Sequence, residues 1–235
     1  MRVAVIRFPG ANCDLDAVHV LKEVMRFPTD LVWHNDFRGS KYDAVVLPGG
    51  FSYGDHLRAG VIAAYSPAMA EVKKMASEGK PVLGICNGFQ ILCESELLPG
   101  ALVRNASTRF VCKWVNLKVV APRTAFSRAF VKGDVFSSPT AHGEGNFVIG
   151  SEGLKELYAN DQVVFKYSDA AGHETKESNP NGALDNIAGI CNLEGNVVGL
   201  MPHPERASEA ILNPYKNENA RKVFSSLKEF LGAKG

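Results

Sequence analysis

The chain has 235 residues, 46% of them hydrophobic, and its 26 Lys+Arg nearly cancel its 25 Asp+Glu, leaving a formal net charge of +1. That length can bury a substantial core in one domain, and the charge balance gives no footprint for nucleic acid. No run is long and apolar enough to span a bilayer, so no membrane contact is expected.

Val3 to Ile6 is the first strand candidate. It is interrupted by Arg7 and Pro9-Gly10, too soon for a signal peptide, so a buried strand of a cytoplasmic protein is expected. Asp14 to Met25 has helical periodicity. Leu31 to Trp33 and Ala44 to Leu47 read as strands, the latter closed by Pro48-Gly49-Gly50. Ala68 to Glu78 reads as a helix stopped by Gly79. Pro81 to Ile85 is a fourth strand, and Gly88 to Glu94 is helical. From Leu102 to about Ile149 the pattern turns to alternating strands. Val163–Tyr167, Ile187–Cys191 and Val197–Leu200 are later strands, and a terminal helix runs from about Asn217 to Leu231.

Continuous apolar strands alternating with helices predict an α/β fold: a mostly parallel sheet covered by helices on both faces, with a β-rich antiparallel excursion. Residues 168–186 are polar and contain Asn179-Pro180-Asn181-Gly182, a loop by composition and a candidate partner contact.

The five cysteines, Cys13, Cys86, Cys93, Cys112 and Cys191, are odd in number and have no C-x-x-C spacing. A disulfide framework and a thiolate zinc site are therefore not expected. Cys86 differs from the others in its setting. Gly84-Ile85-Cys86-Asn87-Gly88 is the thiol form of the nucleophile elbow, at a strand-to-helix turn. The helix N-terminus favours a thiolate there, and the backbone N–H of Asn87 can meet a developing oxyanion. Cys93 should face the core. Cys13, in a first-strand turn, reads as structural.

A thiol nucleophile benefits from an oriented base. Among six histidines, His203 follows an apolar strand in Met201-Pro202-His203-Pro204-Glu205. Flanking prolines suggest extended backbone, which would put His203 and Glu205 on one side. Ala141-His142-Gly143-Glu144-Gly145 is a second H-x-E, and the two pairs together could supply four metal ligands. H-x-E alone is a weak signal, and no metal is expected. Gly49-Gly50 could add an oxyanion donor. The phosphate-binding glycine motifs are lacking, so neither ATP nor a dinucleotide is expected on this chain.

Together these residues resemble the class I, triad-type glutamine amidotransferases. The nucleophile segment is Pro81-Val-Leu-Gly-Ile-Cys86-Asn-Gly-Phe-Gln90, and the His–Glu segment is Met201-Pro-His203-Pro-Glu205. Phe8-Pro9-Gly10, Asn12-Cys13-Asp14, the stretch from Pro48 to Gly60, and Ala141 to Phe147 narrow the match to glutaminase subunits of phosphoribosylformylglycinamidine synthases. His56 departs from that pattern, where an aromatic such as Tyr is expected.

The resemblance implies a flavodoxin-like core and one amidotransferase domain over residues 1–235. It implies a Cys86, His203, Glu205 triad, with Gly50 and Asn87 as backbone oxyanion donors. Phe51, Gln90 and His142 would contact glutamine. It also implies a separate synthetase subunit carrying ATP and Mg, and a small third subunit. Ammonia would pass to that synthetase, which makes formylglycinamidine ribonucleotide in purine biosynthesis. Alternatives are service to another synthetase, a γ-glutamyl hydrolase-like activity, or a glutamine-sensing regulatory subunit.

Overall fold

A computed structural model describes residues 1–232. The strands are β1 (Val3–Arg7), β2 (Thr29–Trp33), β3 (Ala44–Leu47), β4 (Val82–Ile85), β5 (Ala101–Val103), β6 (Val111–Val119), β7 (Val135–His142), β8 (Asn146–Val148), β9 (Val163–Ser168), β10 (Ile187–Cys191) and β11 (Val197–Leu200). The helices are α1 (Asp14–His19), α2 (Val61–Ala64), α3 (Pro67–Ser77), α4 (Asn87–Glu94), α5 (Ser151–Ala159) and α6 (Lys222–Gly232).

Nine strands form one sheet in the order β2-β1-β3-β4-β11-β10-β9-β6-β7. The first five are mutually parallel, and the remaining pairings are antiparallel. β3, β4 and β11 are buried along their whole length. That is why they read as unbroken apolar runs rather than alternating ones. β6 alternates because only one of its faces is covered.

The β-rich antiparallel excursion is present as its change of pattern suggests. β6 pairs with β9 and β7 with β6, so the excursion extends the main sheet. Among the described residues only β5 and β8 stand apart, as a two-stranded sheet. α1 runs on through a wide turn at Val20–Val24, where Met25 N–H bonds Val20 O at 2.8 Å. α2 and α5 have no clear sequence signature. α2 is one turn long, and α5 buries only Leu157 fully.

The 168–186 loop is built in rather than merely polar. Asn179 Nδ2 donates to Ala183 O at 2.8 Å, and Asn186 Nδ2 to Thr175 O at 2.9 Å. Buried Lys166 pairs with Glu174 and Asp185. Among the described residues no helix is long and apolar enough to cross a membrane.

Candidate active site

Register explains the site. β4 and β11 are parallel neighbours, with Gly199 opposite Gly84 and Leu200 opposite Ile85. Both chains therefore leave the sheet at the same carboxyl edge, one residue before Cys86 and three before His203. Cys86 N–H bonds Leu200 O at 2.8 Å across that edge. β3 ends on the other side of β4, with Leu47 opposite Gly84, and delivers Gly49 and Gly50. The carboxyl ends of parallel strands are where α/β sheets collect ligands.

Cys86 caps α4 with φ 51° and ψ −105°, a backbone conformation that costs a non-glycine residue about 1–3 kcal/mol. The flanking glycines make the turn possible. A Cβ on Gly88 would lie 2.0 Å from Leu47 O, and one on Gly84 would lie 2.5 Å from Gly88 O. Strand and helix thus close to backbone contact beneath the thiol. Cys86 is 5% exposed, and its Sγ donates to Ala141 O at 3.7 Å.

His203 and Glu205 are 2% and 1% exposed. His203 Nδ1 lies 2.7 Å from Glu205 Oε1. The pairing is as expected, but the backbone is not extended. Pro204–Ala207 is a single 3-10 turn, with Pro204 in its first position. A proline there loses no helical hydrogen bond and starts the turn, so the turn brings Glu205 back beneath the imidazole. Burial opposes a charged imidazole, but Glu205, Cys86 and Cys13 outweigh it and raise the His203 pKa well above the ordinary value. His203 Nε2 and Glu205 Oε2 have no hydrogen-bond partner.

A cavity of about 290 Å³ opens over Cys86. Gly50, Phe51, Gln90 and His142 line it, as their positions in the motifs suggest. Asp55, Arg104, Thr108, Phe110 and Glu144 line it too, and sequence reading did not assign these to the pocket. Asp55 lay in the Pro48–Gly60 motif and Glu144 in the second H-x-E, but nothing local shows that the two loops meet. Burial, then the neighbouring Glu144, pushes Asp55 up to about 6.

Gln90 ties the walls together. Its Nε2 donates to Glu144 O at 2.6 Å, and its Oε1 accepts from Asn87 Nδ2 at 2.8 Å. Asn87 Oδ1 accepts from Ser52 N–H at 3.1 Å. Asn87 is the first residue of α4, so its own N–H has no partner within the helix.

His142 is held by asparagines. Its Nδ1 lies 3.1 Å from Asn105 Oδ1, and its Nε2 lies 3.4 Å from Asn181 Nδ2. Asn105 Oδ1 accepts and Asn181 Nδ2 donates, so the ring is the neutral Nδ1–H tautomer. Burial, then His203, lowers its pKa to about 4, in agreement. Its ring nitrogens are thus committed, and the two H-x-E pairs do not gather into one ligand set. Among the described residues, the metal-capable side chains that converge are Cys13, His203 and Glu205. Cys13, read as structural, is buried and lies close to the imidazole.

The arrangement can do covalent acyl chemistry: an elbow thiol, an oriented base, helix-end N–H groups and an acidic cavity wall.

A family model for the CobB/CobQ-like glutamine amidotransferase domain matches residues 1–232. The chain is 53% identical over 231 residues to phosphoribosylformylglycinamidine synthase subunit PurQ of Methanosarcina acetivorans, covering 98% of each chain. It is 52% identical over 230 residues to the PurQ subunit of Thermosynechococcus vestitus, covering 97% of this chain and 95% of that one. A solved structure described as PurLQS from Thermotoga maritima contains a chain 43% identical, with a TM-score of 0.85 and 98% coverage of both. An elbow cysteine, a His–Glu base and full-length likeness at this level have one common source: the chain belongs to the CobB/CobQ-like glutamine amidotransferase family.

Proposed function

We propose that this chain is the glutaminase subunit of a phosphoribosylformylglycinamidine synthase, releasing ammonia from glutamine for a synthetase subunit. The observation that carries the reading is full-length identity above 50% to subunits bearing that name, with an elbow thiol and a buried His–Glu pair at one sheet edge. The Thermotoga maritima relative was solved as PurLQS, which supports assembly with a synthetase and a small third subunit. ATP and Mg belong to the synthetase in this reading.

Cys86 thiolate attacks the glutamine side-chain carbonyl, and N–H groups at Gly50 and Asn87 receive the oxyanion. His203 passes a proton to the departing ammonia and then activates water against the γ-glutamyl thioester. Glu205 holds the imidazole and stabilises its charged form. The α-ammonium of glutamine faces Asp55 and Glu144, and its α-carboxylate faces Arg104. Gln90 positions Glu144 and Asn87 while lining the pocket. His142 acts through the loop it anchors.

Reconstitution tests the reading. The chain mixed with the synthetase and third subunit should support glutamine-dependent amidination of formylglycinamide ribonucleotide. The Cys86→Ala chain should leave only ammonia-dependent turnover. Glutamine-dependent turnover with the Cys86→Ala chain would remove the thioester mechanism. Activation of a different synthetase, and not this one, would redirect the assignment.

A further inference from the structure

Cys13 has no part in the chemistry above, yet it lies against the base. It is 3% exposed, and its ligand atom, one from His203 and one from Glu205 lie within 4.8 Å of one another. A tetrahedral zinc ion, with bonds of about 2.0–2.3 Å, places its ligand atoms about 3.3–3.8 Å apart. Side-chain movements of about 1 Å would close the set to that geometry.

Two further observations point to a ligand. Glu205 Oε2 is buried without any hydrogen-bond partner, a state that native structures seldom leave unexplained. The catalytic cavity shares Gly50, Phe51 and Cys86 with an adjoining recess of about 190 Å³ lined also by Cys13, His203 and Arg206, so an ion held there has an entry and a fourth position beside the nucleophile.

We propose that Cys13, His203 and Glu205 form an inhibitory zinc site that captures the base of the triad.

The charges favour it. A Cys13 thiolate and the Glu205 carboxylate neutralise a divalent ion, and a neutral complex tolerates burial far better than an unpaired charge. Binding releases to solvent the Cys13 thiol proton and, where His203 is charged, one imidazolium proton as well. Arg206 is the opposing cation, but its guanidinium is paired with Asp16 at 2.9 Å. Coordination through Nδ1 would replace the 2.7 Å bond to Glu205, and coordination through Nε2 would occupy the atom that serves Cys86. Either mode removes the base. The ion is an inhibitor here, not a participant in the reaction.

Zinc affinity is measured on the full chain by competition with a chromogenic chelator, in a Cys112→Ser background because Cys112 is exposed. Cobalt is used in parallel to read thiolate-to-metal charge-transfer absorption. The parent chain should bind one ion, show the thiolate band and lose glutaminase activity reversibly. Cys13→Ala is compared with Cys13→Ser as a second variant. They should bind zinc at least about tenfold more weakly and lose the band. Cys86→Ala should keep the band. Unchanged affinity in both Cys13 variants would overturn the proposal. So would a band lost with Cys86 and kept without Cys13, since the ion would then sit on the nucleophile. The binding readouts do not depend on the glutaminase assignment; only the inhibition rests on it.

Discussion

His203 is bonded to Glu205 through Nδ1 at 2.7 Å, while its Nε2 has no partner and the Cys86 thiol points to Ala141 O instead. In the proposed mechanism these are the base and the nucleophile, and no hydrogen bond of normal geometry yet joins them. Catalytic hydrogen bonds commonly tighten only when substrate or a partner arrives.

The first prediction follows from that open contact. The isolated chain should turn glutamine over slowly, and the assembled complex should raise kcat on the order of 10²-fold, the scale of correcting a 1 Å misplacement. Steady-state ammonia release with and without the synthetase checks it. High turnover that ignores the partner would contradict it.

Glu205→Gln should lower kcat by about 10²–10⁴-fold with little change in KM, because an amide can hold the imidazole in the wrong tautomer. It should also change pH-dependent stability. The His203 pKa is raised in the fold, so its stabilisation is present below the unfolded value near 6.5 and fades as pH rises through the folded one. Thermal melts across that window should show the parent's advantage at low pH and its absence in the variant.

Asp55→Asn should weaken glutamine binding and yet stabilise the chain. The Asp55 pKa is pushed from 3.8 to about 6 by burial and then Glu144. A full shift of that size is worth about 3 kcal/mol, and partial exposure reduces it to about 1 kcal/mol. With the folded pKa above the unfolded one, stability is present below about pH 4 and lost as pH rises through 6. The variant should therefore gain on the parent between those values and stay ahead at pH 7. A raised KM with unchanged kcat would mark a lost ammonium contact.

Gly88→Ala should cost about 3 kcal/mol or more, since its Cβ would meet Leu47 O at 2.0 Å and backbone cannot step aside cheaply. Denaturant unfolding checks it. A near-neutral result would mean that the elbow is looser than its geometry.

The Cys86 elbow and the His203–Glu205 pair were legible because each sits in a local pattern with a mechanical reason. Glycines flank Cys86 where a strand meets a helix, and prolines bracket His203 after another apolar strand. The Pro-rich segment suggested the correct pair by an incorrect route, since a 3-10 turn and not extended backbone joins His203 to Glu205. The four central parallel strands were legible for a related reason: burial on both faces leaves only apolar residues to choose. Helix α2 was not, because a single turn shows no period.

The sequence by itself determined the parallel core, the elbow at Cys86 and the His203–Glu205 pair, all of which depend on neighbours within a few residues. Tertiary structure alone decided which loops share the site. Asp55 meets Glu144 although 88 residues lie between them, Gln90 bonds the Glu144 backbone, and Cys13 reaches His203 from the far end of the chain. Those contacts arise where β1, β3, β4 and β11 end together at one edge of the sheet and the β7–β8 turn meets them. Strand order sets that meeting, and strand order is a property of long-range packing that no local pattern records.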